Sequence, residues 1–228
     1  TKTSPAFFTH YDVETLFHEF GHGLQHMLTK VDYAGISGIS GVEWDAVELP
    51  SQFMENWCWE KDVLDTFAFH FETNQKLPNK LFKKLLATKN YNSGMALLRQ
   101  IEFSLFDFLL HMNEEKKKTK LTEMVLQSVR KETSLITVHK NNKFQNSFAH
   151  IFSGGYAAGY YSYKWAEVLS ADAFMAFKEN KLVDRKVGTN FMKKILETGG
   201  SKPALELFVD FRGREPIIEP LLKSLGLK

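Results

Sequence analysis

The chain has 228 residues, 43% of them hydrophobic, which is enough for a substantial core and argues against disorder. Its 29 Lys and Arg nearly balance 27 Asp and Glu, so the net charge of +2 gives no ground for a nucleic-acid or anionic-membrane partner. A single cysteine, Cys58, cannot form an internal disulfide, and its setting in Trp57-Cys58-Trp59 reads as a packed thiol in a reducing compartment. No stretch approaches the roughly 18 to 20 uninterrupted apolar residues of a membrane span. Thr1 to His10 lack the basic start, apolar run and cleavage site of a signal peptide, so a soluble, cytoplasmic protein is expected.

Apolar residues at three- and four-residue intervals predict a mainly α-helical protein with little β structure. Asp12 is the predicted cap of a first helix over about Val13 to Lys30, with Leu16, Phe17, Phe20, Leu24, Met27 and Leu28 as one broad apolar face. Gly35, Gly38 and Gly41 mark a loop, and a second helix is predicted from near Ala46 through Trp59, with Pro50 near its start. Further helices are predicted at 62–73, 78–88, 93–116, 121–132, 159–179, 186–197, 203–210 and 216–225. The lysine-rich stretch Asn113 to Lys120 reads as a solvated helix end and turn rather than a binding patch. Neither a repeat nor a linker divides the chain, so residues 1–228 read as one domain or as part of a larger one.

The first helix carries His18-Glu19-Phe20-Gly21-His22. Residues four apart project from one helical face, so both imidazoles reach a single ion while Glu19 stands beside them, facing a water on that ion. Two neutral imidazoles and one carboxylate leave a fourth position open, an arrangement that suits one catalytic zinc per chain with Glu19 as general base. The flanking residues add to this, because His10, Glu14, His18, His22 and His26 recur every four positions, a stripe that no apolar core requires. Glu14, one turn before His18, is placed to orient its imidazole. His10 and His26 read as packing residues.

The third ligand lies elsewhere, since Gln25 and Leu28 stand where the extended metzincin motif needs Gly and His. Asp32, Glu43, Asp45, Glu48 and Glu55 are the acidic candidates. Glu48 and Glu55 share a face of the next predicted helix and lead the field; Asp45 is then a supporting hydrogen-bond acceptor.

The runs Leu16 to Leu24 and Gly38 to Trp57, the latter including Glu48-Leu49-Pro50-Ser51-Gln52, resemble the M3 zinc metallopeptidases, the thimet oligopeptidase family. The resemblance places the third zinc ligand on the Glu before the Pro-Ser-Gln run, which is Glu48. A second block, His150-Ile151-Phe152-Ser153-Gly154-Gly155-Tyr156-Ala157-Ala158-Gly159-Tyr160-Tyr161-Ser162-Tyr163, resembles the family's mobile glycine-tyrosine loop. It assigns Tyr160 to transition-state stabilisation, and His150, Gly154, Gly155, Tyr156 and Tyr163 to the substrate side. Gly154 and Gly155 permit hinge-like change, and a tyrosine hydroxyl is able to donate to an oxyanion. Arg212 and Arg214 read as partners of a structural acid rather than of a peptide carboxylate.

The resemblance implies a multi-helical zincin-type catalytic domain that hydrolyses short peptides. It also implies that residues 1–228 are the C-terminal part of such an enzyme, whose N-terminal helical half forms the other wall of a substrate channel. Within the family, Ser51 to Trp57 favours the oligopeptidase branch over the peptidyl-dipeptidases. A helical module that binds peptides without cleaving them is the rival of another class, but such a binder has no need of Glu19 between two zinc-spaced histidines.

Overall fold

A computed structural model describes residues 6–112 and 120–228; the lysine-rich residues 113–119 lie outside the described part. In chain order the α-helices are α1 (His10–Leu28), α2 (Leu49–Glu55), α3 (Lys61–Phe67), α4 (Asn79–Lys89), α5 (Ser93–Met112) and α6 (Leu121–Thr133). They continue with α7 (Ala149–Phe152), α8 (Ser162–Lys178), α9 (Arg185–Phe191), α10 (Ala204–Arg212) and α11 (Glu219–Ser224). The expected mainly α protein is what forms. Among the described residues β structure amounts to an isolated bridge, Phe69 with Lys76, and no helix is long and apolar enough to cross a membrane.

The chain divides into two compact units, residues 1–91 with 166–226 and 228, and residues 92–165 with 227. The first is built on an aromatic core in which Phe53 of α2 stacks on Phe191 of α9 with centroids 4.1 Å apart. Phe174 and Phe177 of α8 and Phe208 and Phe211 of α10 complete it. A buried acid braces the same unit. Asp172 accepts from Arg214 through both terminal nitrogens at 2.6 Å, from Arg212 Nε at 3.1 Å and from the Ile217 N–H at 2.9 Å. The two arginines therefore have the structural partner expected of them, since a fully buried carboxylate persists only when it is paired. The second unit packs Phe106 of α5 and Val125, Leu126 and Val129 of α6 around Phe148, Ile151 and Tyr160.

Several boundaries differ from expectation for identifiable reasons. Thr9, not Asp12, caps α1: the Thr9 hydroxyl accepts from the Asp12 N–H while the Asp12 carboxylate accepts from the Thr9 N–H, a capping box that starts the helix at His10. The predicted broad apolar face of α1 is split. Phe17, Leu24 and Leu28 turn inward, whereas Leu16, Phe20 and Met27 are more than half exposed. The helix expected over Ala46 to Trp59 begins only at Leu49, because Pro50 lacks an N–H and is tolerated only in a first turn, and it ends in a 3-10 turn over Asn56–Trp59. The helix expected at 62–73 stops at Phe67, where the chain turns through Asn74 at φ 54° to form the isolated bridge.

Candidate metal centre

The metal-binding candidates meet where α1 crosses α2. Gly21 makes this approach possible: a Cβ there would lie 2.5 Å from both the Pro50 carbonyl oxygen and Ser51 Cα. With the backbones this close, Glu48, at the N-cap of α2, lies under the two histidines of α1. Its Oε2 is 3.4 Å from His18 Nε2 and 3.2 Å from His22 Nε2, and it also accepts from the Ser51 hydroxyl at 2.8 Å. Among the described residues, His18, His22 and Glu48 form the group whose ligand atoms all lie within 4.8 Å of one another. Glu19 is exposed on the same helix.

The donor set fits a tetrahedral zinc. Bonds of about 2.0–2.1 Å require ligand atoms about 3.3–3.4 Å apart, close to the two separations found. The hydrogen bond behind the His18 ring points the same way. His18 Nδ1 donates to Glu55 Oε1 at 2.6 Å, which orients the ring and leaves Nε2 facing Glu48. A bare nitrogen lone pair facing a carboxylate oxygen is repulsive, so the geometry calls for a cation between them, either a proton or a metal. For the proton, the hydrogen bonds to Glu48 and then to Glu55 raise His18 to about 10. Burial pushes the Glu48 carboxyl up, but hydrogen bonds from His18, His22 and Ser51 outweigh it and hold the group well below the usual carboxylate range. The first carboxylate behind His18 is therefore Glu55. Glu14, expected in that role, instead accepts from the Trp59 indole N–H at 2.6 Å, and Asp45 lies half-buried in the turn before Glu48. His10 packs edge-on against Trp59 with centroids 4.3 Å apart, and His26 packs beneath Gly38, where a Cβ would lie 2.4 Å from its Nδ1.

The tyrosine block lies in the second unit. Gly154 closes tightly on His150, where a Cβ would come within 2.9 Å of the His150 Cα, and Gly155 has φ 84°, so both positions need glycine. Tyr156 and Tyr163 stack with centroids 4.8 Å apart, and the exposed His150 stands edge-on to Tyr160 and Tyr163. Tyr160 is buried, and burial pushes its phenol up. Its hydroxyl donates to Gln100 Oε1 at 3.0 Å. Tyr161 turns away from these rings and stacks on Phe108.

The family model of Peptidase family M3 matches residues 1–227. The chain belongs to peptidase family M3. It is 52% identical over 225 residues to Oligopeptidase A of Salmonella typhimurium, covering 98% of this chain and 33% of that protein. The Probable cytosolic oligopeptidase A of Arabidopsis thaliana is 51% identical over 227 residues, 98% of this chain and 32% of the relative. Dipeptidyl carboxypeptidase of Escherichia coli is 34% identical over 224 residues, 98% and 33% respectively. The M3 chain thus spans about a third of the length of the curated relatives it matches. Two polar contacts escaped sequence reasoning, Glu55 with His18 in the first unit and Gln100 with Tyr160 in the second. They join residues 37 and 60 positions apart, and neither pairing follows from local spacing.

Proposed function

We propose that this chain is the C-terminal catalytic part of a zinc endopeptidase that hydrolyses short peptides in the cytoplasm. The observation that carries the reading is the convergence of His18 Nε2, His22 Nε2 and Glu48 Oε2, with Glu19 exposed on the helix that carries both histidines. His18, His22 and Glu48 would hold a zinc ion, which when bound would supply the Lewis acidity that polarises a carbonyl and makes a water more acidic, from a pKa of about 15.7 toward 7. Glu19 takes the proton of that water as it attacks and passes it to the leaving amine. Tyr160, on leaving Gln100, donates its hydroxyl to the oxyanion, while His150, Tyr156 and Tyr163 bear on the substrate around the glycine hinge at Gly154 and Gly155. The relatives are about three times as long as this chain, and this reading assigns the opposite wall of the channel to their further length.

The test is the zinc content of the purified protein by elemental mass spectrometry, beside three variants. One zinc per chain is expected in the parent and in Glu19→Gln, and little in His18→Ala and Glu48→Ala. Turnover of a fluorogenic peptide falls by several orders of magnitude in Glu19→Gln, and parent-like cleavage by that variant would sink the reading. The likeness to a dipeptidyl carboxypeptidase supports a second reading, removal of dipeptides from a free C-terminus. Peptides with amidated ends separate the two, since only the endopeptidase cleaves them.

A further inference from the structure

We infer that Asp107 is a positioning residue for the tyrosine loop, its buried carboxylate holding the Ala158 to Tyr160 turn in the conformation that sets Tyr160. The inference rests on the role proposed above for Tyr160. It concerns contacts within the second unit alone.

Asp107 lies on α5 and is 1% exposed, a burial that an aspartate tolerates only with partners. One partner is His111, a helical turn further on, whose Nδ1 is 2.8 Å from Oδ1. The others are backbone groups of the loop. Oδ1 accepts from the Ala158 N–H at 2.8 Å and Oδ2 from the Tyr160 N–H at 2.9 Å, so each oxygen holds one amide.

The turn that these amides flank is not one its own sequence favours. It is closed by the Gly159 N–H on the Tyr156 carbonyl at 2.9 Å, with Ala158 as third residue at φ 55°. Glycine usually fills that position, because positive φ crowds a Cβ. Here glycine sits one place later and alanine takes the strained site. Such strain persists only where the surroundings over-determine the backbone. The Asp107 carboxylate is the group that does so.

The same helix grips the rest of Tyr160. Gln100, Phe103 and Asp107 stand at three- and four-residue steps along α5, hence on one face. Gln100 accepts from the Tyr160 hydroxyl, Phe103 packs edge-on to its ring with centroids 5.7 Å apart, and Asp107 holds its N–H. When the hydroxyl leaves Gln100 for substrate, Asp107 is the point about which the side chain moves. Without that anchor Ala158 relaxes to negative φ and the hydroxyl is displaced, an error of about 1 Å being enough to cost on the order of 100-fold in rate.

The test compares Asp107→Asn, Ala158→Gly and the double variant in the whole protein. Asparagine keeps one acceptor oxygen and loses the other, so amide hydrogen exchange at Ala158 or Tyr160 accelerates at least tenfold. Peptide hydrolysis by Asp107→Asn should lose at least tenfold in kcat, with KM and zinc content held. Ala158→Gly in the same background should restore most of the lost kcat, since glycine takes φ 55° without strain, a rescue that a merely structural role for Asp107 does not produce. Parent-like kcat in Asp107→Asn beside a slow Tyr160→Phe would overturn the anchor alone. Parent-like kcat in both, with accelerated exchange in Asp107→Asn, would locate the failure in the reading of Tyr160 and overturn the inference with it. Should Asp107→Asn not accumulate folded, Ala158→Val strains the same turn and leaves the carboxylate intact. It should show the same loss of kcat, and parent-like turnover there would overturn the proposal.

Discussion

His18 answers to two carboxylates, one at each ring nitrogen. Glu48 stands before Nε2 and Glu55 behind Nδ1, and the 2.6 Å contact behind the ring fixes which nitrogen faces the ligand position. An outer carboxylate of this kind both orients the imidazole and makes it a stronger donor, and its loss ordinarily costs 10- to 100-fold in metal affinity. Glu55→Gln should therefore weaken zinc binding by about that factor in competition with a chelator, while Glu48→Gln, which removes a ligand, weakens it far more. Equal losses in the two variants would mean that Glu55 is itself a ligand. Cys58 shows the contrast between a buried polar atom that is used and one that is inert. Its thiol is wholly buried near the Val13 carbonyl, and burial, followed by the charges of Glu14 and Glu55, pushes it up to about 12, so it packs rather than reacts.

At the scale of elements, the site exists because α1 and α2 touch backbone to backbone at Gly21. Gly21→Ala puts a methyl group 2.5 Å from the Pro50 carbonyl oxygen and Ser51 Cα, and neither backbone atom is free to yield as a side-chain tip would. The helices must part, at a cost of about 1–3 kcal/mol typical of overpacking, and zinc affinity should fall as Glu48 withdraws from His22. Gly23→Ala is the control of opposite sign. Its nearest neighbour is the mobile end of Met27 at 4.0 Å, so the substitution should stabilise the metal-free chain by about 0.5–1 kcal/mol through helix propensity alone. Thermal unfolding of both variants checks the pair, and a neutral Gly21→Ala would mean that the crossing is loose. Local spacing made α1 and its His18-Glu19-His22 face legible in the sequence, because helical periodicity alone sets them. The partners of that face were less legible, since they depend on a crossing 30 residues away. Glu48 was one of two leading carboxylates until family resemblance separated it from Glu55, and Glu14 was misread because Trp59, a tertiary neighbour, claims its oxygen. The apolar count on α1 likewise could not show that Leu16, Phe20 and Met27 face away from the core.

At the scale of the whole molecule, the proposed zinc site sets protons and zinc in competition for one position, and that competition would reverse the pH dependence of stability. Stripped of metal, the chain holds His18 protonated up to about 10, mainly through Glu48 and then Glu55. That lies above the unfolded value of about 6.5, so folding takes up a proton in the interval. The resulting stabilisation is fully present below about pH 6.5 and is lost as pH rises through about 10. Glu48 works from the other side: with its folded value depressed, its contribution is present above the unfolded carboxylate range and is lost only in strong acid. Zinc requires neutral imidazoles, so each ion bound displaces the His18 proton and apparent affinity increases with pH over the same interval. Between pH 6.5 and 9, the melting temperature in the presence of a chelator should fall, while the increment conferred by saturating zinc should grow. In Glu48→Gln the falling branch flattens and most of the increment disappears. A zinc increment independent of pH would mean that His18 does not exchange a proton for the metal, and the ligand set drawn from His18, His22 and Glu48 would have to be abandoned.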